Sequence, residues 1–177
     1  KVIPIHKGSD STLCQNYRPV SLLPSISKVL ERVMYMQISN FLTLNNTLNK
    51  HQYGFRKSHS TLHPIIHLLN ACASAHNHSP PQYTLAIFCD LSKAFDILDH
   101  QILLYKLSNI GIRGHALDWI SNYLSNRTQY VEIDKHKSIS HNIDHGVPQG
   151  SVLGPLLFLI YRVAKNWVIY SHYRCAK

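Results

Sequence analysis

The chain has 177 residues, 45% of them hydrophobic, with 18 Lys and Arg against 9 Asp and Glu. That length suits one domain or a piece of a larger protein, and no apolar run is long enough for a membrane-spanning helix. A net charge of +9 favours a polyanionic partner, nucleic acid before an anionic membrane. Cys14, Cys72, Cys89 and Cys175 are scattered and form no CxxC pair, so they read as reduced, intracellular thiols and not as a disulfide frame or zinc ribbon. No signal peptide opens the chain, and its start at Lys1, already strand-like, reads as that of a fragment.

Residues 2–7 are strand-like, with Pro4 marking an edge. A turn at Gly8-Ser9-Asp10-Ser11 leads back through extended chain at Tyr17-Arg18-Pro19-Val20-Ser21, because Pro19 keeps Arg18 out of helix. Together these predict a basic hairpin carrying Lys7 and Arg18. A long helix follows from Pro24-Ser25 to Asn45-Asn46, with Ile26, Val29, Leu30, Val33, Met34, Ile38, Phe41 and Leu42 at helical spacing as core.

The loop His51-Gln52-Tyr53-Gly54-Phe55-Arg56-Lys57 interleaves aromatic and cationic groups, the chemistry that stacks on bases and touches phosphates. By itself the pattern fits an ordinary surface turn at least as well. A second helix runs from Thr61 to Ala75, with Pro64 tolerated in its first turn. His59, His63 and His67 share one face at i, i+4 and i+8. No nearby carboxylate or cysteine completes a tetrahedral set, which disfavours zinc.

Leu85-Ala86-Ile87-Phe88-Cys89 runs straight into Asp90, and Asp96 follows six positions on. Five apolar residues in a row predict a strand buried on both faces. An Asp at its end is either a cap for the next turn or a carboxylate whose desolvation some partner offsets. Helices are predicted over Asp99–Asn109 and Leu117–Leu124, then strands over 128–134 and 138–144. Gly146-Val147-Pro148-Gln149-Gly150-Ser151-Val152-Leu153-Gly154-Pro155 then opens an apolar helix, Leu156–Tyr161. A helix start behind a glycine loop can meet an anion, but this loop lacks the Lys of an NTPase P-loop.

Each stretch is weak alone; their order is not. Asn16-Tyr17-Arg18-Pro19-Val20-Ser21-Leu22-Leu23, Gln52-Tyr53-Gly54-Phe55-Arg56, Phe88-Cys89-Asp90-Leu91-Ser92-Lys93-Ala94-Phe95-Asp96 and the Gly146–Pro155 block resemble successive blocks of a non-LTR retrotransposon (LINE-type) reverse transcriptase. The wording fits retrotransposons better than intron- or telomere-type polymerases. The resemblance runs from Lys1 to about Tyr161 and implies an α+β fold, the fingers and partial palm of a right-hand polymerase, with helices packed on a small antiparallel sheet. It divides the chain into a fingers-like region, 1–83, a partial palm, 84–161, and an aberrant tail, 162–177, of the kind a frameshift or a misread exon produces.

The resemblance also implies roles. Asp90 matches the first catalytic, metal-binding carboxylate, and the Leu91 carbonyl a backbone ligand for Mg²⁺. Phe95 matches the residue under the incoming sugar, and Gln149 a contact to nucleotide and template. Lys7 and Arg18 resemble cations that hold the triphosphate. Gln52, Gly54, Phe55 and Arg56, with Pro148 and Gly150, resemble template-facing positions. Implied partners are an RNA template, a DNA primer and a deoxynucleoside triphosphate, with the nucleus as the family's place of work and no membrane; oligomeric state is left open.

One departure counts against activity. The family carries two adjacent aspartates on a later hairpin; this chain has no Asp-Asp pair, and no Asp or Glu after Asp144. The expectation is an inactive polymerase fragment, with a nucleic-acid-binding remnant as the alternative.

Overall fold

A computed structural model describes residues 1–162. It is a mixed fold of five helices and three two-stranded antiparallel sheets among those residues. β1 (Val2–His6) pairs with β2 (Tyr17–Ser21) in the register Val2↔Ser21 to His6↔Tyr17. This is the predicted hairpin, and Pro4 faces Pro19. Neither proline has an N–H to give, which suits a two-stranded ribbon with no inner ladder to interrupt. A 3-10 turn, Cys14–Asn16, closes the connection.

α1 (Ser25–Leu44) and α2 (Leu62–His76) lie close to the bounds their sequences predict. Beyond them come α3 (His100–Asn109), α4 (His115–Leu124) and α5 (Gly154–Arg162). The expected pair of strands after α4 is broken into short pieces. β3 (Thr128–Gln129) pairs with β6 (His141–Asn142), and β4 (Glu132–Ile133) pairs with β5 (His136–Lys137).

The core lies where α3, α4 and α5 meet the C-terminal half of α1. Leu103 and Leu107, Ile120 and Leu124, Leu157 and Ile160, and Ile38 and Leu42 are buried there. Leu98, Val147 and Leu153 bring the adjoining loops into the same cluster. α5 is apolar almost all round and buried almost all round, as its sequence requires.

Two expectations about burial are corrected. The α1 stripe is core only in part: Ile26 is 77% exposed and Val29 63%, with Leu30 and Val33 also exposed, while Ile38 and Leu42 are buried. At about 100° per residue, Ile26, Val29 and Val33 point well away from the narrower face on which Glu31, Ile38 and Leu42 are buried, so the apolar spacing spans more of the helix than the core covers. Likewise, 85–90 is no strand. It carries no ladder hydrogen bonds, Leu85 and Phe88 are more than 80% exposed, and Cys89 is exposed too. A central strand exists only when neighbours on both edges accept its N–H and C=O groups, and none of the described strands pairs with it. The expected tail, 162–177, falls outside the described residues beyond Arg162.

Candidate nucleotide and template site

The block from Gly146 to Gly154 is the junction of the molecule. Its first residues are latched to the turn that follows Asp90. There Lys93 has a positive φ, and its carbonyl accepts the Asp96 amide at 2.8 Å, so the chain doubles back. The Phe95 carbonyl accepts the Val147 amide at 2.8 Å, and the Leu98 carbonyl accepts the Gly146 amide at 2.6 Å. His100 Nε2 lies 2.8 Å from the Gly146 carbonyl. Gly146 has φ +82, and a Cβ there would stand 2.7 Å from the Phe95 carbonyl oxygen. Only glycine permits so close an approach of the two backbones.

Further along, the Gln149 carbonyl accepts the Ser21 amide at 2.7 Å, joining the loop to the end of β2. Gly150, at φ +105, closes over Ser21, whose carbonyl oxygen would be 2.9 Å from an added Cβ. The Pro148 carbonyl accepts the Ser151 amide and hydroxyl, and Ser151 Oγ in turn accepts the Gly154 amide at 3.0 Å, capping α5.

Between hairpin, loop and turn lies a cavity of about 260 Å³, bounded by Ser21, Asp96, His145, Gly146, Pro148 and Gln149 among others. Next to it, Asp99 caps α3 by accepting the Ile102 amide at 2.9 Å and sits 3.8 Å from His145, which lines the cavity. Those contacts, the Ile102 amide foremost, hold the Asp99 carboxyl below its ordinary range.

The aromatic rings continue this arrangement. Phe95 is half-buried, 5.3 Å from Phe158 and 6.4 Å edge-to-face from Phe55. The Phe55 contact joins the loop at 51–57 to the turn. Within that loop Gln52 Nε2 donates to the Gly54 carbonyl at 3.1 Å. Arg56 Nη1 donates to the Asn49 carbonyl at 3.0 Å and lies 3.4 Å from that of Gln52. Arg56 is therefore occupied in holding its own loop.

Lys7 likewise turns back, its Nζ donating to the Gln15 carbonyl at 2.8 Å, whereas Arg18 is exposed opposite Ile5. Asp90 is exposed and accepts the amide of its neighbour Leu91 at 2.8 Å. Among the described residues no three His, Cys, Asp or Glu side chains are grouped to hold a metal ion, so the donor set for Mg²⁺ does not fit here.

Glu31 was not legible as part of this site. It is 1% exposed on α1, and its Oε2 accepts the amides of Val152 at 2.6 Å and Leu153 at 3.2 Å. A carboxylate at the positive end of α5 is electrostatically favoured and satisfies amides that the helix cannot. The signal available was positional. Glu31 stands seven residues before Ile38, on the face that buries Ile38 and Leu42. Beside it, the hydroxyl of Tyr123 is buried without a hydrogen-bond partner among the described residues. Its pKa is pushed up to about 12, by burial first and by the Glu31 charge second.

This arrangement, a glycine loop holding an aromatic turn to a basic hairpin, agrees with the comparisons of sequence. Residues 5–163 match the family model described as reverse transcriptase (RNA-dependent DNA polymerase). The chain therefore belongs to the reverse transcriptase family, on its non-LTR retrotransposon branch. It is 35% identical over 161 residues to the RNA-directed DNA polymerase from mobile element jockey of Drosophila melanogaster, covering 90% of this chain and 17% of that protein. It is also 35% identical over 158 residues to the probable RNA-directed DNA polymerase from transposon X-element of the same fly, covering 89% and 17%. A third relative, the putative COX1/OXI3 intron 2 protein of Saccharomyces cerevisiae, is 30% identical over 162 residues, covering 91% and 17%. The chain thus spans about one sixth of the length of these curated relatives. No described helix is long and apolar enough to cross a membrane.

Proposed function

We propose that this chain is the fingers and partial palm of a retrotransposon reverse transcriptase, with 1–83 fingers-like and 84–161 the palm portion. On this reading it contacts template, primer and nucleotide without synthesising DNA by itself. The observation that carries the reading is the latch of Gly146 and Val147 onto the Phe95 turn together with the Gln149–Ser21 bond. Those bonds draw the Phe95 turn, the Gln149 loop and the end of β2 together, beside a cavity lined by Pro19, Ser21, Asp96 and Gln149 among others but not by Phe95, Lys7 or Arg18. Phe95 and Gln149 are then the nucleotide contacts, with Lys7 and Arg18 supplying positive charge. Gln52, Gly54, Phe55 and Arg56, with Pro148 and Gly150, form the template side. In the family's chemistry Asp90 and the Leu91 carbonyl would be ligands to a divalent metal.

Phosphoryl transfer needs charge neutralised on the transferring group and the reacting atoms held in line. Here the acidic side chains for that task are too few. Asp90 stands on an exposed coil, no Asp-Asp pair occurs, and no carboxylate follows Asp144. The alternative reading, a nucleic-acid-binding remnant, draws on the same absence of a grouped metal-ligand set among the described residues and on the net charge of +9.

The test is primer extension on a primed RNA template with Mg²⁺, run beside salt-dependent binding of the same duplex. The expected result is no extension, with binding that weakens as salt rises. Extension that disappears in Asp90→Ala would refute inactivity, and salt-independent binding would refute the nucleic-acid role.

A further inference from the structure

A second feature lies on the loop before α2 and on that helix's first turns. Tyr53 is ringed by imidazoles: His59 at 6.0 Å, His63 at 5.9 Å with the planes 5° apart, and His67 at 5.7 Å. His51 closes the group at 6.2 Å from His67, and His59 lies 5.8 Å from His63. His51, His63 and His67 are exposed, while His59 and Tyr53 are half-buried. Residues 32–89 contain no Asp or Glu at all, yet hold Arg32, Lys50, Arg56, Lys57 and six of the 13 histidines.

The charged groups around the cluster are mostly of one sign. Its own loop supplies Lys50, Arg56 and Lys57. The turn reached through the Phe55–Phe95 contact supplies Lys93, Asp90 and Asp96. Asp90 accepts the Leu91 amide, and none of the ion pairs among the described residues involves these histidines. Imidazole is the side chain whose charge changes between pH 5 and 8. Protonation here would gather cations around one ring with no carboxylate of the segment to neutralise them. The imidazoliums of His59, His63 and His67 would be attracted to the Tyr53 ring, and all of the group repelled by one another. A strand of phosphates relieves that repulsion, and its bases can stack on the same rings.

We infer that the His51–Tyr53–His59–His63–His67 face is a proton-gated contact for single-stranded RNA, weak when the imidazoles are neutral and strong when they are charged. The inference rests on the nucleic-acid-binding reading above and adds a regulation to its template side. A Lys ammonium or an Arg guanidinium would bind across this pH range; this face binds as pH falls.

The test measures anisotropy of a labelled single-stranded RNA against salt at about pH 8 and about pH 5.5, on either side of the imidazole range. The variant is H51Q/H59Q/H67Q. His63 is kept because its Nδ1 accepts the Ser60 amide at 3.0 Å at the start of α2. H136Q/H141Q is the control for histidines elsewhere, and circular dichroism checks that each variant is folded. For wild type the slope of log K against log salt should steepen on acidification. Three imidazoles at about 0.7 per phosphate contact make up roughly 2 of that steepening. The triple variant should match wild type at the higher pH and lose that increment, while the control keeps it. An equal gain in the triple variant would overturn the inference. So would a gain for phosphatidylserine vesicles without one for RNA. RNA binding with a salt slope that ignores pH would overturn this inference alone; no RNA binding at either pH would overturn the nucleic-acid reading with it.

Discussion

Glu31→Ala should be among the most destabilising single substitutions available in this chain. The Glu31 carboxylate accepts two amides, Val152 at 2.6 Å and Leu153 at 3.2 Å, from a site 1% exposed to solvent. Alanine leaves both N–H groups without an acceptor and removes the negative charge facing the α5 N-terminus. A hydrogen bond to a charged group is worth about 1.5–3 kcal/mol, and a buried donor left unpaired costs about 1–3 kcal/mol. These ranges describe overlapping effects, so their sum overstates the loss, and about 3 kcal/mol is the working figure. In a domain of this size that lowers Tm by roughly 6–12 °C. Glu31→Gln keeps one carbonyl acceptor and the side-chain shape, so about half the loss is expected. Urea unfolding followed by circular dichroism gives both values. A Glu31→Ala midpoint within error of wild type would show that the carboxylate does not hold the loop, and the account of the Gly146–Gly154 junction would fall with it.

Three further outcomes follow from the same geometry. Gly146→Ala places a Cβ 2.7 Å from the Phe95 carbonyl at φ +82, and should cost about 2 kcal/mol or more in urea unfolding. If Gly146→Ala leaves stability unchanged, the two backbones are not in contact. Tyr123→Phe removes a buried hydroxyl that lies by Glu31 and Ser151 without a well-formed hydrogen bond among the described residues, so it should be close to neutral at neutral pH. The phenol pKa is raised to about 12 from 10, so the folded state holds that proton more tightly than the unfolded chain. The resulting stabilisation is complete below pH 10 and is lost as pH rises to 12. Tyr123→Phe should therefore flatten the stability profile across that window, and a wild-type-like fall in the variant would exclude Tyr123 as its source. Ile87→Lys with Phe88→Lys should raise solubility with little change in Tm, since both side chains are about 80% exposed. A large drop in Tm would mean that the segment is packed in solution.

The chain's membership of its family was written in four short stretches whose order chance does not produce, and these needed no coordinates. The β1–β2 hairpin, α1, α2 and α3 were also legible, because turn residues and helical periodicity act over a few neighbouring positions. Burial was a different matter. Ile26 and Ile38 belong to one run of apolar residues at helical intervals, yet one is 77% exposed and the other 4%, because twelve positions turn them about 120° apart around the helix. Apolar spacing says that an element forms and nothing about which part of it meets a neighbour. The same limit explains Leu85–Cys89, whose pattern is that of a buried strand but whose ladder needs partners that no described strand provides. Glu31 is the reverse case: it reads as one more helix charge until α5 sets two amides against it, 121 and 122 residues away along the chain. Composition bears on the sign of charge that a partner would carry, and local pattern on the elements. Only tertiary contact decided which polar groups are buried and paired, because a backbone amide looks the same at every position of a sequence.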